Sequence, residues 1–262
     1  MGGVFQRPRA SDVMEVNVNE PDSSGKAARV REMFAEIAPR YDLLNHVLSL
    51  NIDKRWRRFV ITKVSERLRA PGSKALDLCC GTGELSLALG ALAPTIGVDF
   101  CHPMLTLGLT KLQGGTLPVE LVEADALRCP MPDDSFDVVT IAFGLRNLDD
   151  ISAGLREMYR LLKPGGCAAV LEFSHPQAPI FRSVFHFYFT RVLPHIGNAV
   201  SGSRVAYRYL PESVLAFPDQ KALADGMRSV GFSSVRYYNL AGGIAALHVG
   251  DKTIRRQEEP QS

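Results

Sequence analysis

The chain lacks several features that mark well-known classes of protein. Its 262 residues carry 30 basic and 28 acidic side chains, and a formal net charge of +2 is too small to indicate a nucleic-acid partner. No stretch approaches the roughly 18 consecutive apolar residues of a membrane-spanning helix. The first 25 residues lack the apolar core of a secretory signal and are too acidic for a typical transit peptide. These absences leave a globular protein as the expectation.

Cysteine is scarce and shows no functional spacing. The five cysteines form no C-x-x-C pair and no metal-binding pattern, so we expect no metal site. An odd number without a signal peptide indicates reduced, buried thiols, and hence a cytoplasmic protein. A redox pair at Cys79-Cys80 is the less favoured alternative, because adjacent cysteines rarely form a good disulfide.

The strongest functional signal is a short turn with few glycines. Residues 77–83 read Asp-Leu-Cys-Cys-Gly-Thr-Gly between a strand pattern and a helix pattern, and the next apolar run ends on Asp99. Such a unit holds a nucleotide-like cofactor, because glycines let the backbone approach the ligand and the acid can accept both ribose hydroxyls. We therefore predict cofactor contacts at Asp77, Gly81, Gly83 and Asp99. The alternative is that the glycines only form a turn and that Asp99 caps a helix.

Features that the turn lacks narrow the choice of cofactor. The third glycine of the dinucleotide pattern G-x-G-x-x-G is absent, and Glu84 at the helix start would repel a pyrophosphate. Asp125, after the third predicted strand, can accept from an adenine amino group. These features favour S-adenosylmethionine, which has no phosphate. An NAD(P)-dependent oxidoreductase is the competing class of enzyme.

Strands and helices alternate from residue 74 onward, which predicts an α/β fold with a doubly wound, mostly parallel sheet of seven strands. The predicted strands are Lys74–Leu78, Thr95–Asp99, Val119–Glu123, Phe136–Ile141, Cys167–Phe173, Ser234–Asn239 and Ile244–Val249. The short turn between the last two predicts a terminal antiparallel hairpin. Helical stripes before residue 74 predict an N-terminal helical cap. We divide the chain into a flexible tail (1–25), the cap (26–73), the core (74–250) and a second tail (251–262).

Three segments resemble a known family. Residues 41–49 (Tyr-Asp-Leu-Leu-Asn-His-Val-Leu-Ser) followed by Trp56 resemble the first signature of the UbiE/MenG quinone C-methyltransferases. Residues 160–166, running on to Leu-Glu-Phe-Ser at 171–174, resemble the second, and Phe-Gly-Leu-Arg-Asn at 143–147 is also typical. The resemblance covers roughly residues 30–250. The sequence departs from the pattern at Asn51, where relatives have glycine, and at Asp53, where they have histidine.

The resemblance implies a Rossmann-like class I methyltransferase that uses S-adenosylmethionine to methylate a ring carbon of a prenylated quinol. Demethylmenaquinol is the expected substrate, and a 2-polyprenyl-methoxy-benzoquinol of ubiquinone biosynthesis is the alternative. The resemblance also implies cofactor contacts at Thr82, Asp99, Asp125, Ala126 and Ala142. A scaffold that has lost catalysis is a further alternative, against which the intact motif positions argue. A homo-oligomer is left open.

The nucleophile is the difficult part of such a reaction, because an aromatic carbon attacks well only after the neighbouring hydroxyl has lost its proton. Arg146 and Asn147 follow the fourth predicted strand, at the edge where ligands bind in open α/β sheets. We predict that Arg146 stabilises the phenolate, that Asn147 orients the quinol and that Tyr41 lines the site from the cap. The competing interpretations are an ion pair of Arg146 with an acid such as Asp99, and a packing role for Tyr41.

Acidic residues are missing from one long stretch, Phe173 to Pro211. That stretch carries arginines and several aromatic residues, which together predict an interfacial segment on anionic lipid. We expect peripheral contact with the inner face of the membrane, where the segment and the cap would form the mouth of a channel for the prenyl tail. The alternative is a core helix followed by a basic loop.

Overall fold

The computed structural model describes residues 14–15, 25–43, 49, 51–113, 115–177 and 204–254, with the backbone alone at 14–15 and 204–208. The strands are β1 (Met14–Glu15), β2 (Ala75–Leu78), β3 (Thr95–Asp99), β4 (Val119–Glu123), β5 (Phe136–Ala142), β6 (Leu162–Phe173), β7 (Phe232–Leu240) and β8 (Ala245–Lys252). The α-helices are α1 (Lys26–Ile37), α2 (Ile52–Leu68), α3 (Glu84–Gly90), α4 (His102–Leu112), α5 (Ile151–Leu161), α6 (Arg204–Ala216) and α7 (Gln220–Val230). Short 3₁₀ helices span Ala38–Arg40, Leu145–Asn147 and Ala241–Gly243.

The described strands form one sheet in the order β1-β4-β3-β2-β5-β6-β8-β7. Strands β1 to β6 pair in parallel, and β8 pairs antiparallel with both β6 and β7. The predicted doubly wound sheet of seven strands with a terminal antiparallel hairpin is therefore confirmed. The two residues of β1 extend it by pairing with Val122 and Glu123, and they come from the stretch predicted to be a flexible tail.

Apolar side chains cover the sheet on both faces. Leu155 and Met158 of α5 and Leu223 of α7 belong to one buried cluster, together with alternate residues of the central strands. Every fourth residue of α2, from Trp56 through Val60, Val64 and Leu68, belongs to a second cluster, because side chains four apart share one face of a helix. No helix in the described part of the chain is long and apolar enough to span a bilayer.

The two departures from the family signature both lie at the start of α2. Asn51 precedes the helix in a left-handed conformation with φ of 59°. Asparagine is one of the few residues besides glycine that tolerates this region, so the backbone geometry survives the replacement. Asp53 is buried, accepts a 2.6 Å hydrogen bond from Ser49 Oγ and pairs with Arg57 at 2.5 Å. The residue that replaces the histidine therefore anchors the start of the helix.

The largest difference between a predicted and an observed strand boundary is at the start of β6, and the other strand ends agree to within three residues. The sequence placed a break at residues 164–166 and began the strand at Cys167, whereas β6 begins at Leu162, directly after α5. Phe136 pairs with Leu162, and the register then shifts before Val138 pairs with Cys167. This irregularity accommodates Pro164, which cannot donate a ladder hydrogen bond.

Candidate active site

The cofactor turn, residues 79–83, connects the end of β2 to α3. Cys79, Gly81 and Gly83 have positive φ values of 51°, 57° and 76°, and Gly83 precedes α3 in the left-handed region. A Cβ atom on Gly81 would lie 3.3 Å from the Met104 side chain. Backbone conformation therefore favours glycine at position 81, and the space for a side chain there is tight.

Asp99 joins the end of β3 to this turn. Its Oδ2 accepts a 2.8 Å hydrogen bond from the Gly81 amide, and its Oδ1 accepts a 2.9 Å hydrogen bond from the Cys101 amide. Burial raises the pKa of Asp99 to about 6, against the effect of these hydrogen bonds. The carboxylate thus lies beside the turn, as the cofactor prediction requires, and it also contacts the residue before α4, as the capping alternative holds.

Asp77 lies behind the turn rather than in front of it. Its Oδ1 accepts from the Thr140 hydroxyl and its Oδ2 from the Ser86 hydroxyl, both at 2.7 Å. Burial raises its pKa to about 6. Asp77 therefore ties β2 to β5 and α3, which supports the turn from inside the protein.

The three remaining predicted cofactor residues lie at the ends of other strands. Asp125 follows β4, is half-buried and accepts a 2.8 Å hydrogen bond from the Leu127 amide. Ala126 is buried in the core, so only its backbone is suited to a ligand. Ala142 is the half-buried last residue of β5. The structure thus brings the ends of β2, β3, β4 and β5 to one edge of the sheet, called here the carboxyl edge.

Negative charge is concentrated around the cofactor turn. The pKa of the Cys79 thiol is raised well above its ordinary value by burial and, in decreasing order, by the carboxylates of Asp99, Asp77, Asp125 and Glu172. Such surroundings favour a cationic ligand and disfavour a thiolate. Cys79 and Cys80 are free thiols, so the redox alternative gains no support. No group of side chains in the described residues could hold a metal ion.

The cap contacts the turn through Asp42. Asp42, Thr82 and Lys111 form a cluster of three polar side chains, which we call the Asp42–Lys111 clasp. The Thr82 hydroxyl donates to Asp42 Oδ1 at 2.7 Å and accepts from Lys111 Nζ at 2.8 Å, and Lys111 pairs with Asp42 Oδ2 at 2.6 Å. Tyr41 lies beside Gly81, with a ring carbon 3.9 Å from where a Cβ would be. Tyr41 also packs edge-on against Phe34, with the ring centroids 5.8 Å apart. No sequence signal marked Lys111, because its partners are distant in the chain.

Arg146 forms a buried ion pair with Glu172. Nη1 of Arg146 lies 2.7 Å from Glu172 Oε1, and the two side chains are only 7% and 1% exposed. The same nitrogen donates to the Phe143 carbonyl at 2.5 Å. Burial raises the pKa of Glu172, and Arg146 opposes that effect. The ion pair considered from the sequence therefore exists with Glu172 and not with Asp99.

Asn147 is fixed by two neighbours. Its Oδ1 accepts from the Tyr209 hydroxyl at 3.1 Å, and its Nδ2 donates to the Phe143 carbonyl at 3.3 Å. The backbone of the same 3₁₀ helix is held by Lys26, whose Nζ donates to the carbonyls of Arg146 at 3.1 Å and Leu148 at 2.7 Å. Sequence reasoning missed Tyr209, Lys26 and the role of Glu172.

An aromatic wall flanks this helix. The rings of Phe143 and Phe173 lie 4.9 Å apart, and Trp56 lies 6.0 Å from the first and 6.3 Å from the second. The Arg146 guanidinium lies 5.4 Å from the Phe173 ring. The wall brings the cap together with the ends of β5 and β6. Most of the stretch predicted to contact the membrane, residues 178–203, lies outside the described residues.

Solved structures share this fold. The [4+2]-cyclase SpnF superposes with a TM-score of 0.62 at 17% identity, covering 87% of this chain and 97% of that chain. An S-adenosylmethionine-dependent methyltransferase from Thermotoga maritima superposes with a TM-score of 0.57 at 17% identity, covering 85% and 99%. Likeness at this identity shows the fold alone, and that fold is the one of class I methyltransferases, a class that uses S-adenosylmethionine.

Sequence comparison gives the family. The ubiE/COQ5 methyltransferase family model matches residues 23–252. A demethylmenaquinone methyltransferase of Thermus thermophilus is 51% identical over 84% of this chain and 100% of its own length, and that of Deinococcus radiodurans is 49% identical over 88% and 95%. A ubiquinone/menaquinone biosynthesis C-methyltransferase of Geobacter sp. is 45% identical over 87% and 98%. The chain belongs to the ubiE/COQ5 methyltransferase family, which confirms the resemblance.

Proposed function

We propose that this methyltransferase transfers the methyl group of S-adenosylmethionine to a ring carbon of demethylmenaquinol and forms menaquinol. The observation that carries the proposal is the contact between the cofactor turn and the segment that leads to Arg146. A Cβ on Gly144 would lie only 2.4 Å from Cys79 Cβ, so the two segments touch at the carboxyl edge. A methyl donor held at the turn would therefore lie next to the predicted catalytic pair.

The residues of the turn fit S-adenosylmethionine better than a dinucleotide. The carboxylates around Cys79 suit a cation, and Glu84, which pairs with Arg57 at 3.1 Å, adds a carboxylate at the start of α3. When bound, the cofactor supplies an electrophilic methyl carbon on its sulfonium. Asp99 would hold the ribose and Asp125 the adenine amino group. Gly81, Thr82, Gly83, Ala126 and Ala142 would complete the site, supported from behind by Asp77.

The chain's own contribution is to prepare the quinol. The aromatic wall provides an apolar surface for the ring, and Asn147 orients it. The Arg146 guanidinium, although paired with Glu172, would donate to the developing phenolate, and one well-placed donor of this kind lowers a barrier by about 3–4 kcal/mol. Glu172 holds the guanidinium in place before substrate arrives, so no reorganisation is needed during the reaction. Tyr41 lines the site from the cap.

Peripheral membrane contact belongs to the same proposal. The prenyl tail of such a quinol lies in the bilayer, and residues 173–211 carry no acidic side chain. We therefore infer a cytoplasmic enzyme that contacts the inner face of the membrane. Loss of flotation with anionic liposomes after Arg182 and Arg191 are both replaced by glutamate is the expected result, and unchanged flotation would contradict it.

Complementation tests the substrate. Expression in a strain that lacks quinone C-methylation should restore menaquinone, as measured by mass spectrometry of both quinone pools. Restoration of ubiquinone alone would replace the proposal with the benzoquinol alternative. The name of the Geobacter relative, which includes ubiquinone biosynthesis, supports that alternative. No restoration of either pool would overturn both.

A variant of Arg146 tests the catalytic assignment. Arg146→Ala should abolish methyl transfer to demethylmenaquinol while S-adenosylhomocysteine still binds, as measured by calorimetry. Arg128→Ala, which removes an exposed arginine, is the control for loss of a positive charge alone. Full activity of Arg146→Ala would refute the assignment.

A further inference from the structure

We propose that Tyr209 is a positioning residue of the active site, because its hydroxyl fixes the orientation of the Asn147 amide toward the quinol. The inference rests on the proposed function, in which Asn147 orients the substrate. Tyr209 lies on α6, far along the chain from Asn147, and its hydroxyl lies 3.1 Å from Asn147 Oδ1.

The direction of the Asn147 amide follows from its two neighbours. The Phe143 carbonyl can only accept, so the amide nitrogen must face it, as the 3.3 Å contact with Nδ2 requires. The amide oxygen then faces Tyr209, whose hydroxyl must donate. These two contacts use one of the two N–H groups of Asn147, and no described residue accepts from the second, which can donate to a substrate oxygen.

The surroundings of Tyr209 keep it in the form that donates. The side chain is half-buried, and burial raises the pKa of its phenol although the nearby Arg146 charge opposes the effect. The hydroxyl therefore keeps its proton at neutral pH. A tyrosinate would turn Asn147 around or repel its oxygen, and a phenol, whose ordinary pKa is already about 10, does not form one at neutral pH.

The helix that carries Tyr209 is anchored at its far end, beyond Pro211. Val214 is fully buried, and the Phe217 carbonyl after α6 lies 2.9 Å from His175 Nε2 at the end of β6. On the other side of the 3₁₀ helix, Lys26 holds the backbone carbonyls of Arg146 and Leu148. Lys26 therefore fixes the backbone, while Tyr209 fixes the side chain that would meet the quinol.

Removal of the hydroxyl should act on the substrate and not on the cofactor. In Tyr209→Phe the last side-chain torsion of Asn147 has only one anchor, and such torsions are broad when unconstrained. We expect kcat/KM for demethylmenaquinol to fall about three- to tenfold, the worth of one neutral hydrogen bond, in part through a higher KM. The Kd of S-adenosylhomocysteine should change less than twofold.

A matched variant controls for the loss of a tyrosine hydroxyl. Tyr238 is also half-buried, and its ring packs edge-on against Phe59 at 5.6 Å, on the strand that forms the outer edge of the sheet. Tyr238→Phe should leave both kcat/KM and the Kd unchanged. Equal effects of the two variants on kcat/KM would overturn the inference.

A double-mutant cycle with Asn147→Ala separates positioning from general stabilisation. If Tyr209 acts through Asn147, Tyr209→Phe should change kcat/KM less than twofold once Asn147 is alanine. A full three- to tenfold loss in the Asn147→Ala background would show that Tyr209 acts elsewhere and would refute the inference.

The activity of the wild type separates a failure of the proposed function from a failure of the role given to Tyr209. If it methylates demethylmenaquinol and Tyr209→Phe behaves as the wild type, the inference alone is wrong. If the wild type methylates no demethylated quinol, the proposed function fails and the inference falls with it.

Binding of demethylmenaquinol in the presence of S-adenosylhomocysteine provides a readout independent of turnover. It can be followed by the fluorescence of the single tryptophan, Trp56 of the aromatic wall. Weaker binding in Tyr209→Phe than in Tyr238→Phe is expected, and equal binding together with equal kcat/KM would contradict the inference.

Discussion

The cofactor turn and the 3₁₀ helix Leu145–Asn147 lie side by side, but they are held in different ways. The turn is built mainly from its own backbone: Gly83 donates to the Cys80 carbonyl at 2.9 Å, and the glycines adopt positive φ. The 3₁₀ helix is held by side chains that come from α1, β6 and α6. A local backbone geometry demands particular residue types in a short window, whereas long-range contacts can be supplied from anywhere in the chain.

The two regions also differ in charge. Carboxylates surround the turn, and burial raises the pKa of both Asp77 and Asp99 to about 6. Beside the helix, the charge of Arg146 is compensated by Glu172 within 2.7 Å. The first region is therefore prepared for a positive ligand, and the second keeps a cation in place at low electrostatic cost.

Removal of the long-range ion pair between Glu172 and Arg146 should have the largest effect on stability. Glu172→Ala leaves Arg146 buried without a counter-charge, and we expect the free energy of unfolding to fall by about 3–5 kcal/mol. Urea unfolding measures it. Glu123→Ala is the control, since the partner of Glu123, His102, is 49% exposed, and a loss below about 1 kcal/mol is expected. Equal losses in the two variants would show that the 3₁₀ helix does not depend on the buried pair.

The pH dependence of stability probes the turn. Because the folded-state pKa of Asp99 is about 6, above its ordinary value of 3.8, the folded protein binds more protons than the unfolded chain between these values. The contribution of Asp99 to stability is therefore present below pH 3.8 and is lost as the pH rises through about 6. This loss is at most about 3 kcal/mol. The difference between wild-type and Asp99→Asn unfolding curves from pH 4 to 7 measures it, and parallel curves would contradict the raised pKa.

Asp99→Asn should also weaken binding of the cofactor. The amide loses the charge that would accept from the ribose and places an N–H group near another N–H donor, so the Kd of S-adenosylhomocysteine should rise roughly 10- to 100-fold, equivalent to about 1.5–3 kcal/mol. Calorimetry at pH 7.5 is the measurement. The affinity of the wild type should itself fall as the pH is lowered through about 6, while that of Asp99→Asn should not. An unchanged Kd in the variant would remove Asp99 from the cofactor site.

A pair of glycine variants separates the effect of backbone strain on stability from the effect of position 81 on cofactor binding. Gly81→Ala should cost about 1–2 kcal/mol of unfolding free energy, because alanine is disfavoured at φ of 57°. Gly165→Ala is the matched control: Gly165 has φ of 83° and lies in β6, away from the carboxyl edge. Both variants should lose stability, but only Gly81→Ala should bind S-adenosylhomocysteine more weakly. Equal affinity in both would argue against close approach of the ligand at position 81.

Disruption of the Asp42–Lys111 clasp should have the smallest effect on stability. Lys111 and Asp42 are 27% and 33% exposed, so Lys111→Met should change stability by less than about 1 kcal/mol. It should weaken S-adenosylhomocysteine binding by up to about fivefold, because the cap is then less firmly closed over Thr82. Lys163→Met breaks a similar exposed pair with Asp137 remote from the turn, and it should leave the Kd unchanged. Identical Kd values in both variants would show that the clasp has no part in cofactor binding.

The fold could largely be predicted because its signals are periodic. Alternating apolar runs predicted seven strands, and the glycines after the sixth predicted the antiparallel hairpin, both of which the structure confirms. The start of β6 was missed by five residues, because a proline and two glycines look like a break when the partner strand is unknown. In the site, Asp99 lies beside the turn, and the ion pair considered as an alternative for Arg146 forms with Glu172 and not with Asp99, the acid given as an example. The observed partner, Glu172, was visible in the signature without any sign of what it contacts.

The sequence by itself determined the order of elements, the cofactor turn and the family, because each depends on residue types within a short window or on the whole aligned chain. Only the tertiary structure decided that Glu172, Lys26 and Tyr209 converge on Leu145–Asn147, and that Asp42 and Lys111 close over Thr82. Such contacts depend on which strand ends and helices become neighbours in space. A single chain carries no periodicity that encodes the identity of a distant partner.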